Sequence, residues 1–194
     1  MDQGDGPDVG GIILAGGTAV RLGGADKATI DIAGRTLLEH AIDAMIDLAE
    51  VVVVGIPVPT NRPVTFLRED PPGGGPAAGL LAGLSGFPRL PDLVVVLAVD
   101  MPCVTAATIR RLTRSMVDDG ALLADESGRR QPLCGVYSTA ALQAHRPPYE
   151  QEFGLSVHAL IGNLRLAEVA GIGDEARDVD SWDDLTQLRS ALEA

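Results

Sequence analysis

The segment best equipped for chemistry is Leu14-Ala15-Gly16-Gly17-Thr18-Ala19-Val20-Arg21-Leu22-Gly23-Gly24-Ala25-Asp26-Lys27. It begins where an apolar, β-branched run ends, and open α/β sheets bind ligands at the carboxyl ends of their strands. Gly16 and Gly17 would let backbone N–H groups approach a phosphate or a base edge with no Cβ in the way, and Arg21 and Lys27 would add charge. The segment is neither GxxxxGK[ST] nor GxGxxG, so a phosphate loop of a third kind is expected. Lys27 is the only lysine in the chain; every other fixed cation is an arginine. That usage points to a need for a compact point charge at this position. On the residues alone, a glycine loop carrying two solvated cations is the competing reading.

The remaining composition limits what this charge can meet. The chain has 194 residues, 15 Lys+Arg against 27 Asp+Glu, and a formal charge of -12. Such a surface repels phosphate backbones and anionic lipid heads, so neither nucleic acid nor a membrane surface is an expected partner. An anionic ligand would need a local cationic exception. Hydrophobic residues at 46% and charged residues at 22% exclude a disordered chain. No apolar run reaches the ~20 residues of a membrane span, and Met1–Gly10 lacks the pattern of a signal peptide. Cys103 and Cys134 form no CxxC pair or disulfide framework, which suits a reducing, cytoplasmic setting, and both are expected as small buried hydrophobes. With no linker or repeat, residues 1–194 are expected to form one domain.

Short, nearly continuous apolar runs predict strands at Val9–Leu14, Val51–Val54, Val64–Leu67 and Leu93–Ala98. Strands of this kind are buried on both faces and usually parallel. Helical spacing predicts Leu37–Leu48, Pro76–Leu84 with Pro at its first turn, and Thr105–Val117 with Thr105 as N-cap. A last helix, Trp182–Leu192, follows Ser181, with Asp184 in the Glu position of a capping box. The alternation implies a three-layer α/β fold with a mainly parallel, Rossmann-like sheet. Ala121–Ala124 and Leu133–Tyr137 are expected to add an antiparallel or mixed section across the polar tract Asp125–Arg130.

The pattern LAGG-x3-R-x-G-G-x-D-K resembles the signature of the MobA-like nucleotidyltransferases, the family that includes the molybdenum cofactor guanylyltransferases. Other landmarks agree in order. Leu67-Arg68-Glu69-Asp70 followed by Gly75-Pro76-Ala77-Ala78-Gly79-Leu80 resembles an acidic residue and a GPLAG segment. Val94–Pro102 resembles a strand ending in D-x-P. Gln131-Pro132-Leu133 with Val136-Tyr137 resembles a later strand, and Asp178–Leu185 a closing N/D-x-N/D-T-P-E-D-L. The resemblance implies the nucleotide-diphospho-sugar transferase fold. It also implies Mg²⁺-dependent transfer of GMP from GTP to molybdopterin, with release of pyrophosphate.

Under that resemblance, catalysis is mostly positioning and charge neutralisation, because an anionic acceptor must approach an anionic triphosphate. Lys27 and Arg21 would hold the triphosphate, and Asp26 would orient Lys27 or its loop. Leu14, Ala15, Gly16 and Gly17 would frame base and ribose, and Gly75, Pro76 and Gly79 would close the far side. Asp100, emerging from a buried strand, would bind nucleotide and ligate Mg²⁺, with Asp180 as a second ligand. Helix capping is the alternative role for Asp180. Asp70 would bind nucleotide, or else fix the turn before Pro71-Pro72. A phosphate acceptor, whose second pKa is about 6, needs no general base, so His40, His145 and His158 are expected to be structural or exposed. Asp125–Pro132, with Arg129 and Arg130, would touch the acceptor or form a solvated tip; Arg62 and Arg68 are further candidates for it. Transient contact with the proteins that insert the cofactor is also implied. The competing functions are cytidylyl transfer to molybdopterin, a small sugar-phosphate nucleotidyltransferase, and a nucleotide-binding regulatory paralogue.

Overall fold

The structure, a computed structural model, describes residues 6–16, 18–19 and 25–192. A seven-stranded sheet forms its centre: β1 (Val9–Leu14), β2 (Val51–Val54), β3 (Thr65–Leu67), β4 (Leu93–Ala98), β5 (Gly120–Ala124), β6 (Arg130–Ser138) and β7 (Leu166–Ala170). Their order across the sheet is β7-β5-β6-β4-β1-β2-β3. All neighbours are parallel except β6, which runs antiparallel to both β4 and β5. The expected parallel core and mixed extension are therefore both present, and the four apolar runs supply the four parallel strands at the β1 side. Val64 lies just before β3.

Among the described residues six α-helices cover the sheet: α1 (Leu37–Ala44), α2 (Pro76–Leu84), α3 (Ala106–Arg114), α4 (Thr139–Ala144), α5 (Val157–Ile161) and α6 (Trp182–Leu192). Leu37, Leu38, Ala41 and Met45 from α1 and its exit turn share one apolar layer with Ile109 and Leu112 of α3 and Leu185 and Leu188 of α6. Leu80, Leu81 and Leu84 of α2 form the opposite layer with Leu142 of α4 and Leu160 and Ile161 of α5. Successive residues of β1 serve alternate layers, Ile13 one and Ile12 and Leu14 the other. That two-sided burial is why its sequence is continuously apolar.

Two helices are shorter than their apolar spacing suggested. Beyond Ala44, residues 45–47 turn, and α3 ends at Arg114 instead of Val117. Amphipathic spacing continues through a final turn whose hydrogen bonds are no longer helical, so the pattern overruns the helix. Thr105 caps α3 as expected, its hydroxyl accepting from Thr108 N. The sequence reading omitted α4, α5, β7 and two hairpins, Thr18–Ala19/Ala25–Asp26 and Asp31–Ile32/Arg35–Thr36. Among the described residues no helix is long and apolar enough to cross a membrane.

Candidate active site

The carboxyl ends of β1, β2 and β4 open into a cleft of about 650 Å³, lined by Leu14–Gly16, Asp26 and Lys27, Val54–Ile56, Arg68 and Glu69, Gly73, Gly75 and Pro76, Gly79, Ala98–Asp100 and Leu133. Its walls follow from the sheet order. β1 lies between β4 and β2, so the segments leaving these strands share one edge, the crevice where ligands bind in open α/β sheets. The strand ends are tied together: Ala15 N donates to Val54 O at 2.9 Å and Val99 N to Leu14 O at 3.0 Å. Gly55 permits this approach, because a Cβ there would lie 3.0 Å from that of Ala15.

On the opposite wall, Gly75 precedes α2 with φ at +88°, a left-handed value that favours glycine. Pro76 then occupies the first helical position, where its missing N–H costs nothing. One turn on, Gly79 turns toward β1 and β2; a Cβ there would be 3.4 Å from Leu14 Cδ2 and 3.7 Å from Val54 Cγ1.

At the floor, one cation meets two carboxylates. Lys27 Nζ lies 2.8 Å from Asp100 Oδ2 and 2.7 Å from Asp180 Oδ1. Each partner has its own local support. Asp26 Oδ1 accepts from Ala28 N at 3.0 Å, capping the single 3₁₀ turn that begins at Lys27; this is the orienting role expected of Asp26. Asp100 leaves β4 with its carbonyl accepting from Val179 N at 2.8 Å, which docks residues 178–180 onto the end of the strand. Ser181 and Asp184 form the expected capping box: Ser181 N donates to Asp184 Oδ2 at 2.9 Å, and Asp184 N to Ser181 Oγ at 3.2 Å. Ser181 therefore caps α6 and leaves the Asp180 carboxylate to Lys27.

The electrostatics are lopsided. Burial works against the charged form of Lys27, but its bonds to Asp100 and Asp180 outweigh this and raise its pKa above the ordinary lysine value. Nearby, Asp178 has its carboxyl pushed upward by loss of hydration and by the charges of Asp180 and Asp100. Two carboxylates thus share one ammonium. Hard oxygen donors with surplus negative charge are what a Mg²⁺-type ion uses, one or two carboxylates being completed by phosphate oxygens and water. Asp100 Oδ1 and Asp180 Oδ2 accept no hydrogen bond among the described residues, so the donor set fits such an ion. No cluster of three metal-ligating side chains occurs among the described residues.

The structure thus brings Leu14, Ala15, Gly16, Lys27, Gly75, Pro76, Gly79 and Asp100 to one cleft, with Asp180 bonded to its floor. Gly17 and Arg21 lie outside the described residues. Asp70 is not in the lining: it is exposed, and its Oδ1 accepts from Tyr149 Oη at 2.8 Å. Its predecessors Arg68 and Glu69 line the wall instead. Glu69 Oε1 accepts from Gly73 N at 2.8 Å, folding the glycine-rich loop over the cleft. Sequence reasoning passed over Glu69, Val54 and Ile56; their nearness to the ends of β2 and β3 was the available signal.

The tract 125–132 also stays out of the lining. Asp125 Oδ1 gathers Ser127 N, Ser127 Oγ and Arg129 N in a tight turn, and Arg130 pairs with Glu168. This is the solvated hairpin tip; only Leu133, beyond it, reaches the cleft. Arg62 is spent on the carbonyls of Met45 and Leu48. None of the three histidines lines the cleft, and His40 and His145 bond to the carbonyls of Ile32 and Ala141. Cys134 is buried, as expected, but Cys103 is only half-buried, because it lies in the loop between β4 and α3 and not on a strand.

Residues 11–161 match the sequence profile of the MobA-like NTP transferase domain. A molybdenum cofactor guanylyltransferase of Bradyrhizobium sp. (strain ORS 278) is 38% identical over 140 residues, 66% of each chain. A probable molybdenum cofactor guanylyltransferase of Mycobacterium tuberculosis is also 38% identical over 140 residues, 66% of this chain and 67% of that one. The matched region spans about two thirds of these relatives. Among solved structures, the molybdopterin-guanine dinucleotide biosynthesis protein A of Archaeoglobus fulgidus superposes with a TM-score of 0.73 at 18% identity, covering 95% of this chain and 98% of the other. The 2-C-methyl-D-erythritol 4-phosphate cytidylyltransferase of Thermus thermophilus gives 0.68 at 23%, covering 94% and 98%. These superpositions establish the fold, that of the nucleotide-diphospho-sugar transferases. With the matched profile added to the strand-end cleft, the chain belongs to the MobA-like NTP transferase family of nucleotidyltransferases.

Proposed function

We propose that the chain transfers GMP from GTP to the phosphate of molybdopterin carrying molybdenum, releases pyrophosphate, and uses Mg²⁺ to do so. The observation that carries this reading is the Lys27 ammonium, bonded to Asp100 and Asp180 at the strand-end cleft. It provides one cation and an oxygen donor set beside a space large enough for a nucleotide. The relatives named as molybdenum cofactor guanylyltransferases supply the choice of base and acceptor.

In this reading the nucleoside lies between Leu14–Gly16 on one side and Gly75–Gly79 on the other, where bare backbone allows close approach. The triphosphate lies toward Lys27. An oxygen of the acceptor phosphate attacks the α-phosphorus; the new P–O bond forms as the bond to the β-phosphate oxygen breaks and pyrophosphate leaves. Lys27 holds negative charge that grows on the leaving group. Asp100 and Asp180 would hold Mg²⁺, which when bound supplies charge neutralisation across the phosphates. The acceptor phosphate is largely a dianion near neutral pH, given a second pKa of about 6, so the reaction asks for no basic side chain. The absence of histidine from the described lining is compatible with that.

The test is pyrophosphate release from GTP in the presence of molybdenum-loaded molybdopterin and Mg²⁺, with CTP, ATP and UTP alongside. Turnover with GTP that is lost in Asp100→Ala supports the reading. Turnover with CTP and none with GTP reassigns the base. Release with sugar 1-phosphates and none with molybdopterin reassigns the acceptor. Nucleotide binding with no pyrophosphate from any acceptor makes the chain a regulator.

A further inference from the structure

The Lys27 ammonium stands between the two carboxylates proposed to hold a divalent ion. It is bonded to both, at 2.8 Å and 2.7 Å. The side chains of Lys27 and Asp100 are only 15% and 22% exposed, so bulk water screens that charge-assisted bond poorly, while the half-exposed Asp180 is the more solvated partner. The surroundings are fixed. The Lys27 backbone is held in a 3₁₀ turn by the Asp26 cap and by Ile30 N donating to Lys27 O, and the Asp100 backbone is held by Val179 N. What can move is the four-carbon stem of Lys27. The sole lysine of the chain thus occupies the place where a flexible, releasable cation is useful. An arginine there would grip two carboxylates with a planar fork and give them up less readily.

We propose that Lys27 is the exchangeable counter-cation of Asp100 and Asp180. In the nucleotide-free chain it neutralises them and keeps divalent-ion affinity low. On arrival of a triphosphate it transfers to phosphate oxygens and frees both carboxylates, so that metal and nucleotide bind with positive coupling. The competition in the free chain depends on geometry alone; the destination of the ammonium rests on the nucleotidyl-transfer reading above. The charge count sets the direction. With Lys27, the carboxylates of Asp100 and Asp180 share one positive charge; without it no cation among the described residues pairs with either of them, and a divalent ion meets no such competitor there.

The experiment is a Mn²⁺ titration of the nucleotide-free protein, followed by the electron paramagnetic resonance signal of free Mn²⁺. It compares wild type, Lys27→Gln, Lys27→Arg and Lys27→Gln/Asp100→Asn, each shown to be folded by circular dichroism. Lys27→Gln should bind Mn²⁺ at least about tenfold more tightly than wild type, given the strength of a close charge in a poorly screened site. Lys27→Arg should bind no more tightly than wild type, and the double variant should lose the gain. A second readout uses melting temperature: Mn²⁺ should raise that of Lys27→Gln by more than that of wild type. Equal Mn²⁺ affinity in wild type and Lys27→Gln, or no binding by Lys27→Gln, overturns the proposal. Either result alongside intact GTP turnover leaves the proposed function standing. The expected gain without turnover on any nucleotide fails the proposed function and leaves the competition standing.

Discussion

Two glycines on one helix separate stability from nucleotide binding. Gly79 and Gly83 both lie inside α2, one turn apart, and Gly79 N makes a helical bond to Gly75 O at 3.0 Å. A methyl at Gly79 would meet Leu14 Cδ2 at 3.4 Å and Val54 Cγ1 at 3.7 Å, ordinary contact distances. A methyl at Gly83 would meet Ile12 Cγ2 at 2.8 Å and Cδ1 at 3.0 Å, and Ile12 is fully buried in the sheet. Gly79→Ala should therefore gain the usual helix-interior difference of about 0.5–1 kcal/mol, which for a chain of this size raises the melting temperature by roughly 1–4 °C. Gly83→Ala should lose about 1–3 kcal/mol to overpacking. Only Gly79 lines the cleft, and its added methyl would occupy the wall against which the base is proposed to lie. Nucleotide affinity should then fall at least about tenfold, on the order of 1.4 kcal/mol, while Gly83→Ala binds as wild type at a temperature where it stays folded. Differential scanning calorimetry and fluorescence titration with a GTP analogue measure the two quantities. If Gly79→Ala keeps wild-type affinity while melting higher, no nucleotide lies over α2 and the placement of the base is wrong.

Other consequences are independent of that one. Ser181→Ala removes the cap of α6 and should cost about 1 kcal/mol, read as a lower urea midpoint with unchanged slope. Glu175 is partly buried, which would raise its pKa, but bonds from Arg111, Thr108 and Ile172 N prevail and hold its carboxyl below the ordinary range. The unfolded chain then binds that proton first, so the Glu175 contribution is fully present above about pH 4.5 and is lost as pH falls through the folded value. Glu175→Gln should accordingly flatten the acid limb of a urea-midpoint against pH plot and lower stability at neutral pH. Burial pushes the Cys134 thiol up to about 12 and raises that of Cys103 less. Ellman's reagent should therefore modify Cys103 slowly in the native protein and Cys134 only on unfolding; rapid labelling of both would contradict the packing of β6.

How far the fold was legible tracks where side chains are buried. β1, β2 and β4 are buried on both faces, so the demand for apolar, β-branched residues is written at nearly every position and needs no knowledge of neighbours. β7 is an edge strand whose residues are half-buried or exposed, and its sequence carries too little of that demand to stand out from a loop. The two short helices α4 and α5 were missed although Ser138 and Ser156 cap them, each accepting from the backbone N–H three residues on. One and a half turns hold too few apolar positions to display a 3.6 period, and the cap alone is ambiguous.

The chain by itself determined which atoms the chemistry has available: a glycine-rich exit from a buried strand, one lysine among arginines, a carboxylate at the end of an apolar run and a capping-box pattern at Ser181 and Asp184 beside Asp180. These are local properties, set by propensity, hydrogen-bonding capacity and charge. Tertiary structure alone decided which of them meet. Asp100 is 73 residues and Asp180 153 residues from Lys27 in sequence, and their convergence depends on β4 lying beside β1 and on Val179 docking against Asp100. The same geometry turned Asp70 toward Tyr149 and drew Arg68 and Glu69 into the wall, since the direction of a side chain leaving an edge strand is set by what packs against it.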